Sequence, residues 1–400
     1  MESREMKTKH ESTLNVRPPF DSEKLDALMD NQGVDAVLAT SSHNTQYLLG
    51  GYRFFMYAWE DSVGLSRYLP VAGYIKGRTD AAFYVGAGNE DWGTDVEPLW
   101  VPQVENVAWS TVDAASKAAA NIRSRVGEQP TLAVEYPYLS TDAMETLQQE
   151  LPGATFVDAT NLFEELRAVK SPEELNLIQA ASKSVVEAMV ATFEGSQAGD
   201  SKYDIAERLR REEVARGLTF AYCLIAMGQS FNRAPSNQCW KEGEVLSLDS
   251  GAERGGYVGD LARMGVLGEP TAQMKELLEE VSAVQAAARQ AIRPGVRGGD
   301  IFEEALKELR ACPHSAQLGF LAHGMGLVTH EAPRLTDKGS PPYPADHADR
   351  PLEAGMVISV ETDLRSPDLG FVKLEDTIFV TQDGWEAPAE PGEKWNCVDV

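Results

Sequence analysis

The sequence predicts two domains, an α/β domain over residues 1–165 and an α+β domain over residues 166–400. In the first part of the chain, apolar strand-like runs alternate with helix-like stretches, which is typical of a three-layer α/β domain. In the second part, helices come first, and pairs of alternating strands joined by turn residues follow. A length of 400 residues also favours two domains over one, and residues 1–20 are expected to form a flexible arm.

The first domain opens with a predicted helix and a predicted buried strand. The stretch SEKLDALMDNQG predicts a helix that ends at Gly33, and the apolar run VDAVLAT predicts the strand. This alternation continues, so we expect helices packed against a sheet. Further predicted strands are VAGYIKG, AAFYVGA, TLAVEYP and ATFVDAT, and the helices between them include DAASKAAANIRSRVG and STDAMETLQQEL.

The second domain begins with a clear helix-start pattern. Ser171 is an N-cap residue, Pro172 suits the first helical position, and Glu174 completes a capping box. This helix is predicted to run to about Phe193. Later predicted helices are KYDIAERLRREEVARG, the stretch from Thr271 to Ile292, and IFEEALKELRA, which Asp300 is expected to cap.

Composition and charge exclude several classes of function. The formal charge of −26 argues against nucleic acids and anionic membranes as partners, since both are polyanions. The polar start lacks the apolar run of a signal peptide, and no apolar stretch reaches the roughly 20 residues of a membrane helix. The four cysteines form no CxxC pair. We therefore expect a cytoplasmic protein with reduced thiols that acts on a small peptide or a small molecule.

The stretch VLSLDSGAERGGYVGDLARM has the alternating pattern and the glycine turn of a β-hairpin. A turn centred on Arg254-Gly255 would place Asp249 directly opposite Asp260. Two opposed carboxylates repel each other unless a cation lies between them. Taken alone, this hairpin is as consistent with two solvated carboxylates as with a cation site.

A second hairpin is predicted in GMVISVETDLRSPDLGFVKLEDTIFVT, with its turn at Pro367-Asp368. In that register Glu361 and Glu375 lie opposite each other, among branched apolar residues. A glutamate inside an apolar strand is costly unless it is paired or ligated. Two opposed glutamates in such strands therefore indicate a bound cation.

The sequence LAHGMGLVTHEAP brings His323 and His330 close together, with glycines between them. The spacing of seven residues differs from the HExxH pattern of zinc-binding helices. Gly324 and Gly326 would let the backbone pass close to whatever His323 touches. Together with the two hairpins, the motif offers enough donors for two divalent ions that share bridging carboxylates. The expected metal ligands are Asp249, Asp260, His323, Glu361 and Glu375.

The order DxG…D, HGxG…HE, VE and LED resembles that of the pita-bread superfamily, which includes methionine aminopeptidases, prolidases, aminopeptidase P and creatinase. The segment ELRAVKSPEELNLIQAAS resembles the entry helix of the catalytic domain in two-domain members. The likeness is close over roughly residues 165–385 and looser before them. It implies a creatinase/prolidase-type α/β N-terminal domain followed by a pita-bread α+β catalytic domain.

The resemblance also implies a dinuclear metal-dependent hydrolase of the Xaa-Pro dipeptidase or aminopeptidase type, in which a metal-bridging hydroxide attacks an amide carbonyl. Asp260 and Glu375 would bridge the two ions, and Glu361 would bind a metal and transfer a proton. His330 would stabilise the charge that develops on the carbonyl oxygen. The ions would be Mn²⁺, Co²⁺, Zn²⁺ or Fe²⁺, and an oxygen-rich donor set favours Mn²⁺.

Two candidate substrate-binding residues depart from the pattern of the peptidases. Asn232 stands where they usually have a histidine, and Lys373 stands where many prolidases have an arginine before LED. Asparagine cannot take a proton near neutral pH, and lysine offers a point charge in place of a fork. These changes leave open a non-peptidase enzyme that acts on a small molecule, such as a creatinase-like C–N hydrolase or a dimethylsulfoniopropionate-type lyase.

A catalytically inactive binding module on the same scaffold agrees less well with the sequence, because all five ligand positions are intact. The resemblance implies a homodimer, in which the N-terminal domain of one subunit closes the pocket of the other. The aromatic segment at 52–59, which includes Trp59, is the part of the chain that we expect to contribute to this closure.

Overall fold

The computed structural model describes residues 17–56, 64–339 and 341–399. The chain divides between Leu166 and Arg167 into two compact units. Most of the expected N-terminal arm lies outside the described residues, and so does Trp59 of the aromatic segment.

The first unit contains a mixed sheet flanked by helices. Its sheet has the strand order β4-β3-β2-β1-β5-β6. The strands are β1 (Ala36–Ala39), β2 (Val71–Ile75), β3 (Arg78–Ala87), β4 (Gln103–Ala108), β5 (Thr131–Val134) and β6 (Thr155–Asp158). The helices are α1 (Ser22–Gln32), α2 (Ser42–Leu48), α3 (Asp91–Thr94), α4 (Thr111–Arg125), α5 (Thr141–Glu150) and α6 (Thr160–Arg167).

Successive residues of β1 belong to separate hydrophobic cores on the two faces of this sheet. Val37 packs in one core with Leu25 of α1, and Leu38 packs in the other with Ile122 of α4. A strand alternates its side chains between faces, so helices on both sides bury the whole of β1. The predicted α/β class is confirmed, and so are the five strands named from the sequence.

Strand β4 was not predicted, because its sequence QVENVA lacks an apolar run. It lies at the edge of the sheet and pairs only with β3 among the described strands. An edge strand has fewer neighbours to bury its side chains, so it can keep polar residues that hide its periodicity.

The second unit contains an antiparallel sheet with the main strand order β10-β11-β12-β9-β8-β7. Its helices are α7 (Pro172–Glu194), α8 (Lys202–Ala215), α9 (Ala272–Ala291) and α10 (Asp300–Ala311). Its strands are β7 (Thr219–Met227), β8 (Val245–Arg254), β9 (Tyr257–Leu267), β10 (Leu318–Gly324), β11 (Val357–Ser366), β12 (Gly370–Val380), β13 (Trp385–Glu386) and β14 (Asn396–Val398). The predicted α+β class is confirmed.

Helices cover the apolar positions of this sheet in two groups. Helices α7 and α8 pack in one core with Leu246, Leu248 and Leu261 of β8 and β9. Helices α9 and α10 pack in another core with Val360 and Ile378 of β11 and β12. The strand residues next to these apolar ones point to the opposite face of the sheet. That face carries the polar cluster described below.

The helix starts of the second unit were predicted with mixed success. The capping box of Ser171 and Glu174 is present at α7, as predicted. The prediction that Asp300 caps α10 is wrong, because Gly299 is the N-cap and Asp300 is the first helical residue. The Asp300 carboxylate is bound instead by the Arg297 guanidinium, whose Nε donates to it over 3.0 Å. Arg297 therefore binds the carboxylate that was expected to cap the helix.

The helices and the cysteines give two further observations on the described chain. None of the helices in the described part of the chain combines the length and apolar character needed to cross a bilayer. The four cysteines all have free thiols, two of them buried and two exposed.

Candidate metal centre

The first hairpin forms as predicted, but its register differs from the predicted one. Arg254 pairs with Tyr257, so the turn consists of Gly255 and Gly256, both with positive φ angles. Such a two-residue turn needs positive φ at both positions, which glycine adopts without strain. Asp260 therefore lies opposite Gly251 and not opposite Asp249. The shift is by two residues, so both carboxylates stay on one face as diagonal neighbours.

The second hairpin has the predicted register. Glu361 of β11 lies directly opposite Glu375 of β12. Neighbouring residues on β12 point to opposite faces, and Asp376 is bound on the other side by Arg289 of α9 at 3.0 Å. Glu375 thus faces the polar cluster, while Asp376 anchors a helix.

The third element is β10, which ends at the histidine motif. His323 is 1% exposed, and its Nδ1 lies 3.2 Å from the carbonyl oxygen of Gly324, which accepts its proton. This bond leaves the lone pair of Nε2 free to face the carboxylates, as a metal ligand requires. The glycines serve a different purpose from the expected one, because a Cβ at Gly324 would collide with the backbone at Pro333, and one at Gly326 with Glu331.

Asp260, His323 and Glu375 form a buried group that could hold a metal ion, with ligand atoms all within 4.8 Å of one another. Nε2 of His323 lies 3.8 Å from the Oε1 atoms of both Glu375 and Glu361. Among the described residues, Oδ1 of Asp260 and Nε2 of His323 have no hydrogen-bond partner. Buried polar atoms are nearly always satisfied, so two such atoms facing a common space fit a divalent cation.

Lys373 of β12 lies beside Oε2 of Glu375, whereas His323 faces Oε1. The Lys373 residue is 4% exposed. Its Nζ lies 2.5 Å from Oδ2 of Asp249 and 2.8 Å from Oε2 of Glu375, and it also pairs with Oε2 of Glu361. Three of the five predicted metal ligands therefore surround an ammonium group. Lys373 was a candidate substrate-binding residue, but here its charge is directed at the carboxylates.

Asp249 has a second cationic partner, Arg233, which was not among the predicted site residues. The Arg233 guanidinium donates to Oδ2 of Asp249 and lies over the Phe371 ring, 5.3 Å from its centroid. Arg233 directly follows Asn232, the residue to which the sequence drew attention. The Asn232 side chain is exposed, and its oxygen accepts a hydrogen bond from the Ala234 amide at 2.8 Å. In this loop Arg233, and not Asn232, reaches the cluster.

Tyr222 of β7 is a further group that the sequence did not indicate. It lies opposite Gly251, and its hydroxyl donates to Asp260. A Cβ at Gly251 would collide with the Tyr222 ring. The glycine of the DxG pattern therefore makes room for a tyrosine that orients a predicted ligand.

Burial and mutual repulsion dominate the electrostatics of the carboxylates. Burial, followed by the neighbouring carboxylates Glu375 and Asp249, raises the pKa of Asp260 well above its usual range. Burial also raises the pKa of Glu361. Burial acts in the same direction on Glu375, but the Lys373 ammonium and His323 outweigh it and hold the pKa of Glu375 below its usual range. Such crowding favours the binding of a cation beside Asp260.

His330 lies against this group without belonging to its carboxylate cluster. Its ring stacks on the His323 ring with centroids 3.8 Å apart. Its Nδ1 lies 3.4 Å from the Tyr343 hydroxyl. Burial, and then the neighbouring His323, lower the pKa of His330 to about 3, so its imidazole is neutral at physiological pH. A neutral imidazole can donate one hydrogen bond to a reacting oxygen.

Both units of the chain match known protein families. The model of metallopeptidase family M24 matches residues 176–382, and that of the creatinase/prolidase N-terminal domain matches residues 22–169. The Xaa-Pro dipeptidase of Lactobacillus helveticus is 26% identical over 304 residues, which cover 72% of this chain and 80% of that protein. The Xaa-Pro dipeptidase of Pyrococcus horikoshii is 25% identical over 371 residues, which cover 90% of this chain and 94% of that protein.

Solved structures show the same fold. The Xaa-Pro dipeptidase from Bacillus anthracis superimposes with a TM-score of 0.78 at 22% identity, covering 95% of this chain and 99% of that chain. The N-terminal domain of the FACT complex subunit SPT16 from chickpea gives 0.71 at 14% identity, over 94% and 97% of the two chains. Fold alone does not identify chemistry, so the family match carries the assignment. Since the M24 match spans more than half of the sequence, the chain belongs to metallopeptidase family M24 and is a metal-dependent hydrolase.

Proposed function

We propose that this hydrolase cleaves peptides at Xaa-Pro bonds, either as a dipeptidase or as an aminopeptidase. The relatives named above as Xaa-Pro dipeptidases support this substrate class. The observation that carries the proposal is the buried group of Asp260, His323 and Glu375, in which one atom each of Asp260 and His323 has no hydrogen-bond partner in the described part of the chain. These three residues are the proposed ligands of the catalytic ion.

The proposed roles of the protein groups follow from their positions. A bound divalent ion supplies Lewis acidity, which lowers the pKa of a water ligand and stabilises negative charge on oxygen. Glu361 takes up and returns the proton, because its carboxylate lies beside His323 and its pKa is raised by burial. His330 donates a hydrogen bond to the substrate carbonyl oxygen as charge develops there.

Manganese is the proposed ion, because carboxylate oxygens outnumber nitrogen donors in the cluster. The sequence predicts two ions, but the Lys373 ammonium and the Arg233 guanidinium both contact Asp249, one of the predicted ligands. We also propose a homodimer, and a cytoplasmic location that would keep the exposed Cys239 and Cys397 reduced. Light scattering on the purified protein tests the dimer.

The substrate proposal is tested with the full-length protein purified in the presence of Mn²⁺. Hydrolysis of a series of Xaa-Pro dipeptides is measured before and after chelation, with Ala-Ala as the comparison dipeptide. We expect turnover of Xaa-Pro substrates that chelation removes and that added Mn²⁺ restores. Asp260→Asn is the matched variant and should be inactive under all three conditions. Absence of turnover on every Xaa-Pro dipeptide by protein that has bound Mn²⁺ would refute the dipeptidase assignment, and the same result on Xaa-Pro-Yaa tripeptides would refute the aminopeptidase assignment.

A second candidate is an enzyme that acts on a small non-peptide, and the position of Lys373 favours it. The Lys373 ammonium lies among the carboxylates, at a position where many prolidases have arginine. Creatine and dimethylsulfoniopropionate are the first substrates to test with the same preparation. Turnover of either one, together with inactivity toward dipeptides, would establish this alternative.

A further inference from the structure

The ammonium group of Lys373 has all its hydrogen-bonding capacity directed at predicted metal ligands. It pairs with one oxygen each of Asp249, Glu361 and Glu375. An ammonium has three N–H donors, so three carboxylate oxygens satisfy it completely. The side chain is only 4% exposed, so the three carboxylate contacts replace the water that would surround an exposed ammonium group.

A metal ion at the same place would need the same oxygen atoms. Divalent ions bind carboxylate oxygens at about 2.0–2.2 Å, whereas Nζ of Lys373 lies 2.5 Å from Asp249 and 2.8 Å from Glu375. An ion bound to these oxygens would therefore overlap the ammonium. Lys373 and an ion in this position exclude each other.

Asp249 also contacts a second positively charged side chain, that of Arg233. The Arg233 guanidinium donates to Oδ2 of Asp249, the oxygen that Lys373 also contacts. Asp249 therefore offers this oxygen to two fixed positive groups. Because both cations are covalently part of the chain, their local concentration at Asp249 far exceeds that of a free ion.

The two oxygens of Glu375 divide the cluster into two halves. Oε2 faces Lys373 at 2.8 Å, while Oε1 lies 3.8 Å from Nε2 of His323 and accepts a hydrogen bond from Ser359 at 2.8 Å. In the half that contains Lys373, the ammonium group already supplies the positive charge that the carboxylates require. In the half with Asp260 and His323, no described residue forms a hydrogen bond with Oδ1 of Asp260 or Nε2 of His323.

The charges of the buried cluster also favour the binding of a single divalent ion. The cluster contains four carboxylates, from Asp249, Asp260, Glu361 and Glu375, and two fixed cations, Lys373 and Arg233. One divalent ion would make the sum of these charges zero if the carboxylates are ionised and His323 is neutral. A second ion would leave two uncompensated positive charges in a buried site, which is costly.

We propose that Lys373 takes the place of a second metal ion, so that the chain binds a single divalent ion at Asp260, His323 and Glu375. This inference rests on the proposed function only for the metal site itself. The proposed centre contains one metal ion and one ammonium group, whereas the sequence predicts two metal ions. Asp249 and Glu361 are then held by Lys373, which fixes the Glu361 carboxylate beside His323.

The test is the metal stoichiometry of the full-length chain. Protein stripped with a chelator is titrated with Mn²⁺ by calorimetry, and bound Mn²⁺ is measured by elemental analysis after desalting. We expect one equivalent for the wild type and a second equivalent for Lys373→Met, which removes the ammonium at similar length. Electron paramagnetic resonance should show isolated Mn²⁺ in the wild type and an exchange-coupled pair in the variant.

Two controls separate the lysine effect from non-specific binding to an acidic protein. Lys394→Met removes an exposed lysine and should leave one equivalent. Asp260→Asn should reduce the specific equivalent to none. Two equivalents in the wild type, or one in a folded Lys373→Met, would overturn the inference and spare the proposed function. No specific Mn²⁺ in the wild type would overturn both. The wild-type measurement stays decisive if Lys373→Met does not fold.

Discussion

The two stacked imidazoles differ in their protonation because they have different neighbours. Burial by itself would lower the pKa of His323, but the Glu375 and Glu361 carboxylates outweigh it and raise the pKa to about 9. His330 lies one ring further away, and burial together with the adjacent His323 lowers its pKa to about 3. His323 is therefore suited to pairing with carboxylates as an imidazolium, and it can bind a metal ion only after losing that proton, whereas His330 is suited to neutral hydrogen bonding.

Replacement of His330 by alanine should reduce catalysis while leaving metal binding intact. Loss of one hydrogen-bond donor to a developing oxyanion typically lowers kcat by about 10²–10³-fold. We expect a loss of that order on the substrate identified in the dipeptide screen, with unchanged Mn²⁺ content. His314→Ala, which removes a histidine paired with Glu280, is the control and should keep full activity. A fall in Mn²⁺ content parallel to the fall in kcat would contradict the assigned role.

Gly251→Ala should destabilise the protein and weaken metal binding. The new Cβ would collide with the Tyr222 ring, and the tyrosine hydroxyl donates to Asp260. Overpacking of this kind costs about 1–3 kcal/mol. Urea unfolding measures the free energy, and Mn²⁺ titration measures the affinity. Gly384→Ala, where an added Cβ meets nothing within 4 Å, should change neither. Equal stability of the two variants would argue against the close packing of Tyr222.

Residue identities at the site could be predicted from sequence, but their partners could not. Carboxylates and a histidine within apolar or glycine-rich patterns identified Asp249, Asp260, His323, Glu361 and Glu375 as candidates. The contact between Lys373 and Asp249 joins β12 to β8, two strands away across β9. It depends on the order of strands in the sheet, about which local periodicity carries no information. Arg233 lies in a loop, where no periodicity indicates its direction.

The two hairpins show why register is harder to predict than strand identity. The second register was correct because Pro367 and Asp368 define the turn, and Glu361 pairs with Glu375 as expected. In the first hairpin, the two-residue turn lies one position later than predicted, at Gly255-Gly256, which shifts the partner of Asp260 to Gly251. The alternation of side chains survives a shift of two, so the face of each carboxylate was still predicted correctly.

Helix α8 carries a buried carboxyl group that should make stability depend on pH. Burial raises the pKa of Glu213 to about 8, although the Ser250 hydroxyl donates to it at 2.9 Å. The folded state therefore holds a proton that the unfolded chain releases near its ordinary pKa of 4.5. The stabilisation is complete below about pH 4.5 and is lost as the pH rises through about 8. A loss on the order of a few kcal/mol is expected across this window.

Glu213→Gln should flatten this dependence, because glutamine mimics the protonated carboxyl group. The measurement is urea unfolding at several pH values between 5 and 8, compared with the wild type. Glu207→Gln on the same helix is the control, since arginine partners lower the pKa of the exposed Glu207 to about 2 and it does not titrate in this range. A wild-type slope that persists in Glu213→Gln would show that another group is responsible.

The two units of the chain contribute differently to the proposed activity. All the proposed metal ligands lie in the second unit, on strands β9, β10 and β12. The first unit has its own sheet and its own hydrophobic cores. Its buried Glu90 is bound by the hydroxyls of Tyr52, Tyr68 and Tyr84, which satisfies a polar group inside that unit. Metal binding should therefore act first on the second unit.

Addition of Mn²⁺ should slow amide hydrogen exchange most strongly in the strands that carry the proposed ligands. A ligand that binds only the folded state stabilises it by about 2.7 kcal/mol when present at 100 times its Kd. The ion would join β9, β10 and β12, and it would relieve the repulsion between the Asp260 and Glu375 carboxylates. Hydrogen exchange with mass spectrometry, with and without Mn²⁺, measures the effect, and the sheet of the first unit is the internal reference. In Asp260→Asn the added Mn²⁺ should change nothing. Protection that increases equally in β1–β6 and in the ligand strands would show that Mn²⁺ acts through the chain as a whole and not through the proposed site.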